Sequence, residues 1–246
     1  LSVQNNFTFD GQVGYTLLSA YELNRNPAYL KLGLKIADQC IGLPEKDKIL
    51  NWGLMCAMDL AKAYRITNNV TYLNEARKFV RNTMTQQYKD GSFPHQYFPP
   101  NSHPPYGNNY TDMHYTSWMI YELNQIRSDD PQNPDIEAAL IKANDFMTRR
   151  ANDDGSLNYS YIYGAMGWTN ELSYFGFDMK AIGENAKAES VLRFLFQKEN
   201  IGNLSGSYPD KWAYPEDSVW ASSSSSVVRT SIIFWMLTSI PLIDNS

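Results

Sequence analysis

The segment DGSFPHQYFPPNSHPPYGNNYTDMHY, Asp90 to Tyr115, gathers residue types that carry protons and bind anions: all three histidines (His95, His103 and His114), Tyr106, Tyr110, Asn108, Asn109 and Asp112. Imidazole and phenol groups take and return protons. Thr111 or Asp112 is placed to cap a following helix, which leaves Asn108, Asn109, Tyr110, Asp112 and His114 near a helix N-terminus. Such a terminus favours anions, including the carboxylate of an acidic sugar. The plainer alternative is that Asp112 is only a cap and the two asparagines only form turns. Zinc has donors of the right types in the three histidines and Asp112, but no helical His-x-x-x-His and no cysteine pair accompanies them. No cofactor is therefore expected, and a divalent cation such as calcium has no motif behind it.

Two more segments offer chemistry. GAMGWTNELSYFGFD holds Glu171 and Asp178, seven residues and so about two helical turns apart, roughly 10 Å along an axis. Glu171, nearer the loop end, suits a general acid, and Asp112 or Asp10 across a cleft would complete a glycosidase pair. Asp178 is expected to be a helix-surface or capping charge. SGSYPDKWAYPEDSVW supplies Trp212, Tyr214 and Trp220; with Trp118, Tyr161 and Trp168 they are amphipathic rings that either stack on sugar faces or pin a loop. Arg229 is expected on an inner helix, where it needs an acidic partner or a bound carboxylate.

Positioning these residues falls to a repeat. AYELNRNPAYLKLGLKIAD from Ala20 lies over AYRITNNVTYLNEARKFVR from Ala63 without a gap, an offset of about 43 residues, the length of a helical-hairpin repeat. Weaker copies begin at Ile120 and Asp178. Apolar residues recur at helical spacing in Leu73, Ala76, Phe79 and Val80, and in Ile136, Ala139, Leu140, Ala143 and Phe146, which predicts one-sided outer helices. NWGLMCAMDLAKAY and MHYTSWMIYELNQI are apolar or small on nearly every face and predict inner helices covered on several sides. Pro27 and Pro134 suit first helical positions.

The expectation is an all-α fold: an α/α toroid (incomplete barrel) of repeated helical hairpins, about nine helices in a single domain over residues 1–246, the last from about Val227 to Ser239. A superhelical solenoid is the rival. No strand ladder is expected, apart from a short hairpin arm at SLNYSYIYG. Turns within pairs are short (NRNP, TNNV, GENA), whereas connections between pairs are long: Asp90–Asp112, Asp153–Thr169 and Asn200–Ser226. These long loops all leave outer helices and enter inner ones, so in a toroid they gather at one end and border a cleft.

Composition narrows the partners. A net charge of −5 with no basic run leaves no electrostatic footprint for nucleic acid. The longest apolar run, SIIFWMLTSIPLI, is shorter than the ~18 residues of a membrane span. Aromatic residues make up 14% of the chain, an excess that suits a polysaccharide or oligosaccharide partner and also an ordinary core. The chain opens at Leu1 rather than a methionine, from which a removed leader or upstream domain is expected, the leader going with a secreted or periplasmic location. Cys40 and Cys56 are expected as buried free thiols, with a disulfide as the alternative. No serine elbow, phosphate loop, dinucleotide fingerprint or paired-cysteine motif is present.

YLNEARKFVRNTMTQQYKDGSFPHQYFP, followed by NNYTDMHYTSW, resembles the stretch of polysaccharide lyase family ten pectate lyases in which an outer helix runs into an Asn-Gly-Gly-Trp-Pro-Gln turn, a Tyr-Pro pair and a Thr-Phe-Asn-Asp segment. The matching positions are Asp90–His95, Tyr97, Pro99 and Tyr110–Asp112, with Ser92-Phe93 where that family has Gly-Trp, and no position can be matched to its catalytic arginine. The resemblance implies an incomplete α/α toroid acting on an acidic polysaccharide, with Asp112 at an acidic site position. On that reading β-elimination has Arg229, Asn109 or the helix N-terminus neutralising a uronate carboxylate, and His114 or Tyr110 moving the proton. A glycoside hydrolase using Glu171 with Asp112 or Asp10, and a non-catalytic glycan-binding or protein-interaction module, are the other expectations.

Overall fold

The computed structural model describes residues 10–43, 50–94, 113–156, 166–197 and 211–213. Among these residues the chain forms eight helices and one small strand pair. The helices are α1 (Asp10–Asn24), α2 (Pro27–Cys40), α3 (Leu50–Thr67), α4 (Val70–Met84), α5 (Met113–Asp129), α6 (Pro134–Thr148), α7 (Thr169–Ala181) and α8 (Asn185–Gln197). Strands β1 (Met166–Trp168) and β2 (Lys211–Ala213) run antiparallel, with Gly167 opposite Trp212. That ladder corrects the expectation of none: its strands lie far apart in sequence and are three residues each, too short for a periodic signal. The hairpin arm at SLNYSYIYG and the ninth helix lie outside the described residues, apart from Ser156.

The repeat holds at atomic detail in the first two pairs. Arg25 and Asn68, equivalent by the 43-residue offset, both take left-handed backbone conformations, with φ 57° and 58°. Asn26 and Asn69 follow as N-caps, their side-chain oxygens accepting from the Ala28 and Thr71 amides at 3.0 and 3.1 Å. The second helix of each pair therefore starts with an orphan donor satisfied. Pro27 and Pro134 stand first in α2 and α6, as expected.

Inner and outer helices differ as their patterns predict. In α3 the buried residues include an unbroken run from Gly53 to Ala63. α4 buries one stripe, Tyr72, Ala76, Phe79, Val80 and Thr83, with Tyr72 taking the place expected of Leu73. All five predicted apolar residues of α6 are buried. Cys40 and Cys56 are buried thiols that form no disulfide, as expected.

Two compact units divide the described chain. The first holds α1–α4, the C-terminal part of α5 from Glu122 and α6 as far as Ala143. The second holds the N-terminal part of α5 as far as Tyr121, the end of α6, and α7, α8 and the strand pair. In the first unit α1 packs on α3 through glycine: a Cβ at Gly11 would lie 2.6 Å from the Met55 carbonyl oxygen. No described helix is long and apolar enough to cross a membrane.

Candidate functional site

The long loops start from a turn that occurs twice. Asp90-Gly91-Ser92 follows α4 and Asp154-Gly155-Ser156 follows α6. In the first, Asp90 Oδ1 accepts from the Ser92 amide and hydroxyl at 3.0 and 2.7 Å. In the second, Asp154 Oδ1 accepts from the Ser156 amide and hydroxyl at 2.9 and 2.6 Å. The Tyr88 amide donates to the Ser92 carbonyl at 2.9 Å, and the Asn152 amide to the Ser156 carbonyl at 2.8 Å.

Only glycine suits the middle position. Gly91 and Gly155 have φ 98° and 88°, in the region that disfavours a side chain. A Cβ there would also lie 2.1 Å from the Lys142 carbonyl oxygen in α6, or 2.2 Å from the Ser190 carbonyl oxygen in α8. Each turn is thus seated on the backbone of the next outer helix. Gln87 reinforces the first, donating to the Gly91 and Ala139 carbonyls at 3.0 and 2.9 Å. The expected Asp-Gly turn is confirmed; its second copy went unread, although the triplet is plain in the sequence.

In the second unit an aromatic row joins α5 to α7. Tyr115 and Trp118 are near-parallel with centroids 6.4 Å apart, Trp118 and Tyr174 near-parallel at 5.7 Å, and Tyr121 lies 5.2 Å from Tyr174 and edge-on to Phe177 at 5.4 Å. Trp118 is half-buried, whereas Tyr174 and Tyr121 are buried. Asp178, expected as a surface or capping charge, is fully buried on α7. The correction follows from its neighbours on that helix: Tyr174, Phe175, Gly176 and Met179 are buried as well.

Acidic side chains mark the interior of the first unit. Glu22 of α1 accepts from Lys62 Nζ at 3.2 Å and from Arg65 Nε at 3.0 Å, both on α3. Asp129 of α5 accepts from Lys62 at 3.0 Å and pairs with Arg65 at 2.7 Å, and Lys62 Nζ lies 4.9 Å from the Tyr15 ring centre. Partial burial works against the Glu22 charge, but the hydrogen bonds from Arg65 and Lys62 hold its pKa below the usual range. For Asp129 burial is the larger influence and its pKa is raised despite both cations.

Asp59 of α3 and Glu122 of α5 differ: both are fully buried and neither has a hydrogen-bond partner. Burial, and secondarily Cys56, pushes Asp59 up to about 9 and Glu122 well above the carboxylate range. At about 9, Asp59 holds its proton at pH 7. Sequence reading passed over them, although a single carboxylate inside MCAMDLAKA, on a helix read as covered on several sides, was the available signal.

Of the predicted site residues, Trp118 is the one whose side chain is described. His114 and Glu171 lie in the first turns of α5 and α7, Trp168 ends β1, Trp212 is central in β2, and Asp10 opens α1; their backbones alone are described. The β1–β2 pairing brings the Trp168 and Trp212 segments together. Asp112 is the residue before α5 in the sequence. It lies outside the described residues, as do His95, Tyr106, Asn108, Asn109, Tyr110, Tyr161, Tyr214, Trp220 and Arg229. Among the described residues no cluster of three histidine, cysteine, aspartate or glutamate side chains is arranged to hold a metal ion.

Solved structures match this arrangement over nearly the whole chain. A sugar epimerase from a ruminal bacterium matches with a TM-score of 0.72 and 10% identity, covering 96% of this chain and 72% of its own. A family 88 glycosyl hydrolase from Bacteroides vulgatus matches at 0.70 and 13%, covering 92% of this chain and 71% of its own. The fold is the α/α toroid. A polysaccharide lyase matches at 0.70 and 13%, covering 92% and 70%. No family model and no curated protein matches the sequence. At such identities the likeness shows the fold alone, and the three names span three reactions.

Proposed function

We propose that this chain is a carbohydrate-active enzyme, a single toroid domain that cleaves an acidic, uronate-containing polysaccharide by β-elimination. The observation that supports the carbohydrate-active part of this reading is the match, over about nine-tenths of the chain, to enzymes whose names all denote carbohydrate chemistry. The α5 N-terminus supports it from the chain's own side: the helix begins at Met113, so Asn108–His114 adjoin a terminus suited to an anionic sugar. Neutralising the uronate carboxylate there, or with Arg229 or Asn109, acidifies the α carbon. His114 or Tyr110 takes that proton or returns one to the leaving oxygen. Asp112 caps the helix that aims them, and Trp118, Trp168, Trp212 and the loop tyrosines stack on sugar rings.

The second reading is hydrolysis by Glu171 with Asp112 or Asp10, favoured by the hydrolase among the matching structures and by Glu171 standing in the first turn of α7. One experiment separates them. Incubation with a panel of uronate polysaccharides is followed by ultraviolet absorbance and by a reducing-end assay on the same samples. Elimination raises both, hydrolysis raises reducing ends alone, and a binding module raises neither, which would overturn the enzymatic reading. Where turnover is found, Asp112→Ala and His114→Ala are expected to lower kcat by about 10²- to 10⁴-fold; unchanged turnover in both removes this loop from the mechanism.

A further inference from the structure

The seam where α1, α3 and α5 meet in the first unit holds two carboxyl groups that nothing in the proposed reaction uses. Asp59 and Glu122 are fully buried and Cys56, which acts electrostatically on both, is 4% exposed. The Asp59 carboxyl occupies the space a side chain at Gly14 would need: a Cβ there would lie 2.2 Å from Oδ2 and 2.7 Å from Oδ1. With Gly11 already against the Met55 backbone, the seam has no slack to solvate a charge.

The titratable groups that act on this seam are held by partners of their own. On α1, the Tyr15 hydroxyl donates to Gln125 at 2.7 Å and Glu22 is held by Lys62 and Arg65. On α2 and α4, Asp38 accepts from the Tyr72 hydroxyl at 2.8 Å, and Tyr72 is pushed up to about 12 by burial first and by Asp59 among its lesser causes. On α3, Lys62 and Arg65 are committed to Glu22 and Asp129 of the paired network. Neither Asp59 nor Glu122 has a hydrogen-bond partner, and an uncompensated charge at such depth is not tolerated.

We propose that Asp59, Cys56 and Glu122 form a proton-operated latch on the first unit: with both carboxyls protonated α1, α3 and α5 close over them, and release of either proton to solvent opens the seam at Gly14 and exposes the Cys56 thiol. This does not depend on the carbohydrate reading. Between the pKa of a carboxyl in the open seam and its value in the closed one, each linked proton raises the opening equilibrium about tenfold per pH unit.

The test is thiol labelling of the full chain from pH 6 to 8, resolved by peptide mass so that Cys56 is read separately from Cys40, with rates divided by those in urea to remove thiolate ionisation. Protection of Cys56 is expected to fall about tenfold or more per pH unit. Asp59→Asn and Glu122→Gln, neutral and isosteric, should each lower that slope by one tenfold step. A flat wild-type profile, or an unchanged slope in both variants, overturns the latch. Should neither variant fold, the wild-type slope decides alone: tenfold per unit or steeper sustains it, flat refutes it.

Discussion

One helix carries two outcomes for buried charge. Lys62 of α3 is 4% exposed, and two carboxyl groups meet it, Glu22 from α1 and Asp129 from α5. Asp59 stands one turn earlier on that helix, fully buried and without a hydrogen-bond partner, and keeps its proton. The hydrophobic pattern is the same around both; the difference is whether a neighbouring helix supplies an opposite charge. Burial favours the neutral carboxyl and a cation opposes it: at Glu22 the cations prevail, at Asp129 burial does.

The paired side should break hardest. Asp129→Asn leaves Lys62 buried with Glu22 as its remaining carboxylate, and a loss of about 3–5 kcal/mol is expected in urea denaturation, the range for breaking a buried pair; a loss below about 1 kcal/mol would show that Glu22 suffices. The unpaired side should reveal itself through pH. Asp59 lies near 9 in the folded chain against about 4 unfolded. Between these values the unfolded chain releases the proton and the folded chain keeps it, so this contribution is complete below about pH 4 and is lost as the pH rises toward 9. The wild-type slope from Asp59 should be on the order of 1 kcal/mol per pH unit, and Asp59→Asn should flatten it. An unchanged slope would mean that Asp59 is ionised.

The twin turns extend the contrast to uncharged contacts. Gly91→Ala and Gly155→Ala each force a side chain onto carbonyl backbone in a left-handed conformation, and about 1–3 kcal/mol of overpacking is expected from either. Equal losses by thermal denaturation would establish the turns as equivalent; a neutral Gly155→Ala would mean that the α8 contact yields. The smallest effect belongs to Arg127, which pairs with Glu137 at 3.0 Å with both side chains exposed. Arg127→Ala should cost less than about 1 kcal/mol, fading with salt.

Much of this fold was legible because its signals are local. Pro27 and Pro134 begin helices for the same reason wherever they occur, and the 43-residue offset carries Arg25 onto Asn68 together with the caps that follow. The stripes of α4 and α6 need only helical spacing and an apolar neighbour. The site was less legible. Glu171 and His114 fall in the first turns of α7 and α5, as their loop positions implied, but the convergence of the other candidates depends on segments outside the described residues. Asp178 was misread because seven-residue spacing reports a face, not what covers it.

The sequence by itself determined the helical hairpins, their short turns and the division into inner and outer helices, since each depends on neighbours within a few residues. Only the tertiary structure decided which carboxyl groups meet a cation. Glu22 and Asp129 acquire cations from a helix distant in sequence, and Asp59 acquires the backbone of Gly14 instead. A side chain's charge depends on the dielectric and the partners that folding brings to it, and residue type records neither.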